Sequence, residues 1–338
     1  MSAIMITNES YAALSMTHNS SLVDRMLALL PEAQLKPGMI AGVTLVRVDA
    51  SMPVRRPVIY EPCMYFVIQG SKSALLEGQE FIFDAMNYLV LSVPLPLECR
   101  VLSASSEEPY LAVKIEIDQL VLQEIIRESS GNGDACAEGA GNQEKVEQGI
   151  FVSSVSENIS SALARLLDVI DKPDQANVLG KLTAREILFH ILQGPQGKQL
   201  ESFAYKDRNA FRIGCAIDYI QKNYATNIEV EALASLASMS QSSFYAYFKS
   251  VTRKSPIQYI KSIRLHAARQ KIVYDNSSAS DAAFQVGYAS PSQFSREYRR
   301  MFGVPPSEDK LFNQVKSGLR PAGRVTLGSG RSRASRRA

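Results

Sequence analysis

The chain has 338 residues, 46% of them apolar and 21% charged, which excludes a predominantly disordered protein and leaves room for two or three domains with proper cores. Its formal net charge of +3 conceals an uneven distribution: residues 1–204 carry −10, residues 205–315 carry +6 and residues 316–338 carry +7. An acidic front and a basic back are the pattern expected when one end of a chain meets a polyanion.

The N-terminus lacks a basic start followed by an apolar stretch and a small-residue cleavage site, so no secretory signal is expected. The longest apolar run, YLVLSVPLPL at residues 88–97, is too short to span a bilayer and holds two prolines. Cys63, Cys99, Cys136 and Cys215 are scattered without a C-x-x-C pair and read as reduced thiols of a cytoplasmic protein, with Cys136 the alternative candidate for a redox sensor.

Strand signals run from about Ile40 to Ile117. IAGVTLVRVDA is β-branched and partly alternating, CMYFVIQG ends at a Gly-Ser turn, SALLEGQEFIF breaks at a glycine, and LECRVLS and YLAVKIEID follow at short spacing. This spacing predicts a sandwich or small barrel. At Asp118 the period changes, and DQLVLQEIIRE predicts a helix leaving the β region. Residues 129–149 are rich in Gly, Ser, Asn and acid and predict a flexible loop. Helices are expected from about Val155 to Ile170 and from Val178 to Gln193, the second stopping at Gly194-Pro195. This connector, residues 150–204, either closes the β domain or pairs two subunits in a homodimer. The arginine-rich stretch 316–338 predicts a disordered tail, either merely solvated or an accessory arm for phosphate.

The stretch SQSSFYAYFK at 240–249 returns fifty positions later as SPSQFSREYR at 290–299. Ser240 and Ser290, Ser242 and Ser292, Phe244 and Phe294, Phe248 and Tyr298, Lys249 and Arg299, and Pro256 and Pro306 all match at that offset. Each copy starts with a short helix of small residues, VEALASLASM or SDAAFQVGY, then a tight break, at Ser238-Met239-Ser240 or around Gly287, then a helix capped by Ser240 or Ser290. Helix, tight turn, helix is the supersecondary unit that reads DNA. Helical spacing buries Phe244, Phe248 and Val251 in the first copy and Phe294, Tyr298 and Met301 in the second. It leaves Ser242, Tyr245, Ala246 and Lys249, and Ser292, Ser295, Arg296 and Arg299, on polar, small or basic faces that suit a major groove. Between the copies, SPIQYIKSIRLHAARQKI at 255–272 predicts an unbroken helix of about 25 Å with Pro256 in its first turn. Such a rod holds two readers near the roughly 34 Å repeat of the major groove.

Residues 210–312 resemble the AraC/XylS family of bacterial transcription regulators. The resemblance is carried by LASLASMSQSSFYAYFKSVTRKSPIQYIKSIRLHAARQKI and AAFQVGYASPSQFSREYRRMFGVPPSE. The stretch from Val58 to Asp118 is similar to the cupin-like N-terminal domain of one AraC subgroup. The resemblance implies a multidomain chain. A cupin-like β-barrel regulatory domain with helices at 20–128 precedes an all-α DNA-binding domain at 210–312, with helix-turn-helix motifs at 231–252 and 279–302. It implies base contacts from Ser242, Tyr245 and Ala246, and from Ser292, Ser295 and Arg296, with Ser243 and Gln293 beside them. Ala246 departs from the long polar residue common at its position, which weakens direct readout by the first helix. Lys249, Arg299 and Arg300 are the phosphate-contact candidates. Expected partners are double-stranded promoter DNA, a small-molecule effector, RNA polymerase for an activator, and a second subunit. Tyr60, Tyr65, Phe66 and Tyr88 are the candidate effector pocket.

An enzyme is the rival reading, because many cupin-type barrels hold a metal on histidines. The three histidines, His18, His190 and His266, all lie outside residues 40–117, so neither a metal site nor another cofactor is expected. No serine or cysteine stands in a nucleophile-elbow context, and Glu61, Glu77, Glu80, Asp84 and Glu98 are scattered over β segments. A third reading is a repressor or architectural DNA binder without a ligand; roughly two hundred residues preceding the DNA reader weigh against it.

Overall fold

The computed structural model describes residues 21–85, 87–129, 148–205, 208–273, 275 and 277–309. Most of the loop expected at 129–149, with Cys136, lies outside the described residues, as do His18 and the basic tail.

The strand signals resolve into two antiparallel sheets. Strands β1 (Gln34–Pro37), β2 (Val43–Val48), β9 (Tyr110–Glu116), β4 (Cys63–Gln69), β7 (Asn87–Leu91) and β10 (Ile150–Ser154) form a six-stranded sheet in that order. A second sheet runs β3 (Arg56–Tyr60), β8 (Leu95–Ser103), β5 (Ser71–Leu76), β6 (Gln79–Asp84). Strand β4 explains the architecture. Its residues from Cys63 to Ile68 are all buried, yet successive side chains leave a strand on opposite faces. Cys63, Tyr65 and Val67 point between the sheets toward Ala74, Phe83, Leu97 and Tyr110. Met64, Phe66 and Ile68 point the other way, into a layer of helices. The larger sheet is therefore covered on both faces, and CMYFVIQ is continuously apolar instead of alternating.

The covering layer comes from α1 (residues 21–29), α2 (Gln119–Ser129), α3 (Glu157–Val169) and α5 (Lys181–Leu192), through residues such as Met26, Ile126, Leu166 and Ile187. Helix α2 starts where the change of period placed it: the Asp118 carboxylate accepts from the Leu120 N–H at 2.8 Å. Ser156 caps α3 by accepting from the Ile159 N–H, and α5 ends just before Gly194-Pro195.

Three boundaries differ from the sequence expectation. The helix expected from Val178 starts earlier, as a short α4 (Pro173–Gln175) and a π turn at Ala176–Gly180 leading into α5. Gly180 is pressed so closely on Ile40 that an added Cβ would lie 2.3 Å from its Cδ1. Residues 150–154, placed in the helical connector, are instead strand β10, paired with β7 through Phe151 and Val90. Strand β1 lies before the expected strand region and pairs with β2. Both are edge strands of five residues or fewer, too short to carry a readable alternation, so pairing with a neighbour decides them.

After α6 (Gly197–Glu201) the chain is all helical: α7 (Asn209–Asn223), α8 (Val230–Leu236), α9 (Gln241–Thr252), α10 (Pro256–Val273), α11 (Ala279–Gln285) and α12 (Pro291–Phe302). The β part docks on the first half of this region. The buried Tyr259 hydroxyl donates to the Pro94 carbonyl at 2.8 Å, the Gly149 N–H donates to the Val251 carbonyl at 3.0 Å, and Lys254 pairs with Glu77.

His266 lies on α10 with only 7% of its surface exposed, edge-on to the Phe302 ring at 5.4 Å. Burial, then the nearby charges of Arg269 and Lys254, push its pKa down to about 3. Between the ordinary histidine value near 6.5 and that value, the unfolded chain holds a proton the folded chain refuses, so stability falls as pH drops through this window. Urea unfolding at pH 7, 6 and 5 is expected to show a steeper loss for the wild type than for His266→Gln. The difference in slope should approach about 1.4 kcal/mol per pH unit below pH 6.

Candidate nucleic-acid interface

Both copies of the repeat fold as helix, tight turn, helix, α8 with α9 and α11 with α12. The same backbone hydrogen bonds close the two turns. Ser238 and Met239 donate to the carbonyls of Ser235 and Ala234 at 3.0 and 2.9 Å, and Gly287 and Tyr288 donate to those of Phe284 and Ala283 at 3.0 Å. The left-handed residue is Ser238 in one turn (φ 53°) and Gly287 in the other (φ 88°). The cap serines keep the fifty-residue offset, whereas Ser238 and Gly287 are one position closer, so Ala289 is an extra residue in the second turn. Ser240 accepts from the Ser243 N–H and Ser290 from the Gln293 N–H, both at 3.3 Å. Each second helix ends at a left-handed residue, Arg253 or Gly303, whose N–H returns to the carbonyl of Lys249 or Arg299.

The buried stripes follow helical spacing. Phe244, Phe248 and Val251 are buried, as are Phe294 and Tyr298, while Met301 is half-buried. Phe248 meets Tyr259 of α10 edge-on at 5.4 Å, and the Tyr298 hydroxyl donates to Asp309 at 2.6 Å. Asp309 also holds Arg269 of α10 through two hydrogen bonds at 2.7 and 3.1 Å, tying the end of the second unit to the rod.

Arg264, in the middle of α10, escaped the sequence reading. Its guanidinium donates to the carbonyls of Tyr224, Thr226 and Gly287 at 2.7, 2.7 and 3.1 Å. The chain after α7 is thereby bound to the turn of the second helix-turn-helix unit. Gly287 is jammed against this segment: a Cβ there would lie 2.4 Å from the Ala225 oxygen. No local motif marks Arg264, because its three acceptors are backbone oxygens up to 40 residues away.

On the outward faces, Ser242, Ser243, Tyr245, Ala246 and Lys249 of α9 are exposed, as are Ser292, Gln293, Arg296, Arg299 and Arg300 of α12, with Ser295 half-buried. Lys249, Arg296, Arg299 and Arg300 take part in no ion pair among the described residues. Three candidates are already engaged within the chain: Ser242 shares a hydrogen bond with the Ser240 hydroxyl at 3.1 Å, Ser243 accepts from that hydroxyl at 3.0 Å, and the Gln293 amide donates to Glu297 at 3.1 Å. Burial alone would raise the Glu297 carboxyl, but hydrogen bonds from Lys261, Tyr288 and Gln293 hold it below its ordinary range.

The four aromatic residues expected to form an effector pocket do not line one cavity. Tyr60 and Tyr65 meet between the sheets with ring centroids 6.0 Å apart, and Phe66 and Tyr88 meet on the opposite face of the large sheet at 5.4 Å. Tyr65 and Phe66 are neighbours on β4, so the pleat separates them. Among the described residues, no group of three or more His, Cys, Asp or Glu is placed to hold a metal, and no helix is long and apolar enough to cross a membrane. Cys63 and Cys99 are buried, and burial pushes the Cys63 thiol up to about 12.

Residues 39–199 match the family model of the AraC-type transcriptional regulator N-terminus, and residues 233–310 match that of a helix-turn-helix domain. The chain belongs to the AraC-type transcriptional regulators. It is 22% identical to the thermoregulatory protein LcrF of Yersinia pestis over 82% of its own length and 100% of that protein's. A stretch of 95 residues is 37% identical to the probable transcriptional regulator LumQ of Photobacterium leiognathi, covering 28% of this chain and 38% of that one. The crystal structure of ToxT from Vibrio cholerae O395 shares the fold, with a TM-score of 0.52 at 13% identity over 80% of this chain and 96% of that one. The regulator therefore binds DNA through its helix-turn-helix region, and the relatives it matches are transcription regulators.

Replacing Arg264 by Ala removes three charge-assisted hydrogen bonds and leaves part-buried carbonyls unmet. A loss of about 2–4 kcal/mol in chemical denaturation is expected, with little rescue by Lys, whose single ammonium cannot span three acceptors.

Proposed function

We propose that this regulator is an effector-responsive activator that lays α9 and α12 into two adjacent major grooves of promoter DNA. One observation supports this most: two serine-capped helices with exposed polar and basic faces are mounted on α10, an 18-residue rod of about 27 Å. In this reading Arg296 contacts a guanine, Ser242, Tyr245, Ser292 and Ser295 contact base edges, and Lys249, Arg299 and Arg300 hold phosphates. Ala246 offers no hydrogen bond, so α12 carries more of the specificity than α9. Ser242, Ser243 and Gln293 change partners if they reach the bases.

Regulation enters through the β part. An effector held there alters the contacts that Glu77, Pro94 and Gly149 make with the first reader, and so alters how the pair engages DNA. A structure of ToxT contains an unsaturated fatty acid, so this fold accommodates a small organic molecule in that protein. An activator also contacts RNA polymerase, which places the protein in the cytoplasm. The second subunit of a homodimer packs on α5. Leu182 on that helix is 59% exposed and Phe189 37%, and the preceding Val178 and Leu179 are also exposed. Ion pairs of Arg185 with Glu124 and Glu128, and of Arg165 with Glu186, put both signs of charge around this apolar face, as a self-complementary two-fold contact requires.

Footprinting on bound genomic fragments is expected to show two protected grooves one helical turn apart. Arg296→Ala should cost about 1–3 kcal/mol of base discrimination at one operator position, and Lys249→Ala should weaken all sequences alike and flatten the salt dependence. A single protected groove on long probes contradicts the paired reading. Leu182→Asp should turn a dimer into a monomer in sedimentation; an unchanged mass excludes α5 as the contact.

A further inference from the structure

Lys72 lies on β5 with its side chain between the two sheets, and only 8% of the residue is exposed. Its ammonium donates to the Tyr60 hydroxyl at 2.6 Å and the Tyr65 hydroxyl at 3.3 Å, and stands 4.4 Å from the Tyr65 ring centre and 5.1 Å from that of Tyr60. No carboxylate pairs with it among the described residues. Burial alone would discourage its charge, but the phenols of Tyr60 and Tyr65 hold the ammonium form well above the ordinary lysine range. Taking a cation out of water without an anion is costly, and here neutral phenols offset that cost. Beside it, the Tyr110 hydroxyl is fully buried next to the hydroxyl of Tyr65. Burial, and then the neighbouring Tyr65, push that phenol up, so it remains a donor. One ammonium and three phenols thus lie together in an apolar sandwich, with no carboxylate paired to the ammonium among the described residues.

We infer that Lys72, Tyr60, Tyr65 and Tyr110 form a receptor for the carboxylate of a monoanionic organic acid, whose apolar part lies among the side chains between the sheets. The inference rests on the effector reading of the β part and gives it a ligand class. One ammonium balances one negative charge, whereas a phosphate monoester brings about −1.5 to −2 at neutral pH and leaves an excess buried. Two carboxylate oxygens offer about four acceptor sites, enough for the ammonium and three phenols. The approach is past Tyr60, which is half-buried on edge strand β3. Phe66 and Tyr88, on the other side of the large sheet, take no part.

The test measures thermal unfolding of the full-length protein with straight-chain acids from acetate to octanoate at constant ionic strength, with their neutral methyl esters and inorganic phosphate as separate arms. At least one acid is expected to raise the wild-type midpoint saturably, while its ester and phosphate do not. Lys72→Met should need at least about tenfold more acid; Tyr110→Phe, which keeps the ring, should need about three- to tenfold more. Equal responses to acid and ester, a larger response to phosphate, or no response to any acid overturn the ligand class. An undiminished acid response in Lys72→Met, or in Tyr110→Phe should the first variant fail to fold, overturns the site. Footprinting of the same samples separates the two readings. A normal footprint without an acid response removes only the ligand class, and an acid response without a footprint supports the site while removing the paired DNA reading.

Discussion

The α10 helix belongs to two cores at once, and the geometry of the DNA-binding region depends on that. Its first half gives Tyr259, Ile260 and Ile263 to the core containing the first reader and the interior of the β sandwich. Its second half gives Leu265, Ala268 and Ile272 to the core of the second reader. Arg264 sits at the junction and fastens the carbonyls of Tyr224, Thr226 and Gly287. A helix anchored at both ends and pinned in the middle cannot turn about its axis without breaking one core. The relation of α9 to α12 is therefore a property of the folded chain, present before any DNA arrives.

The same sharing gives the β part its leverage. The large sheet is buried on both faces, by the small sheet on one side and by helices on the other. Its inner core runs on through Val93 and Phe203 into Ile213, Phe248 and Tyr259 of the helical region. The interior of the sandwich and the first helix-turn-helix unit therefore share one packed core. Lys72 stands in that interior, where a change in local charge is felt most because no water screens it.

Much of this was legible in the primary structure. The fifty-residue repeat, the cap serines, the buried aromatic stripes and the unbroken rod each depend on local spacing, and local spacing survives into the fold. Gly287 was legible because its turn needs a left-handed backbone; Ser238 adopts the same conformation without a glycine to announce it. The interior of the β part was less legible. The aromatics of β4 carry no label for which face they take once both faces are buried, so Phe66 and Tyr88 were grouped with Tyr60 and Tyr65. Lys72 looked like an ordinary strand lysine beside a turn.

By itself the sequence determined the order of the parts, the class of each and the reading helices with their outward residues, because helix periodicity, capping and turn chemistry act within about a dozen residues. Only the tertiary structure decided the pairing of edge strands β1 and β10, the sorting of the aromatics onto two faces, the grip of Arg264 on three distant carbonyls and the isolation of the Lys72 charge. Those features arise from contacts between residues far apart in the chain, where neither period nor motif records the partner.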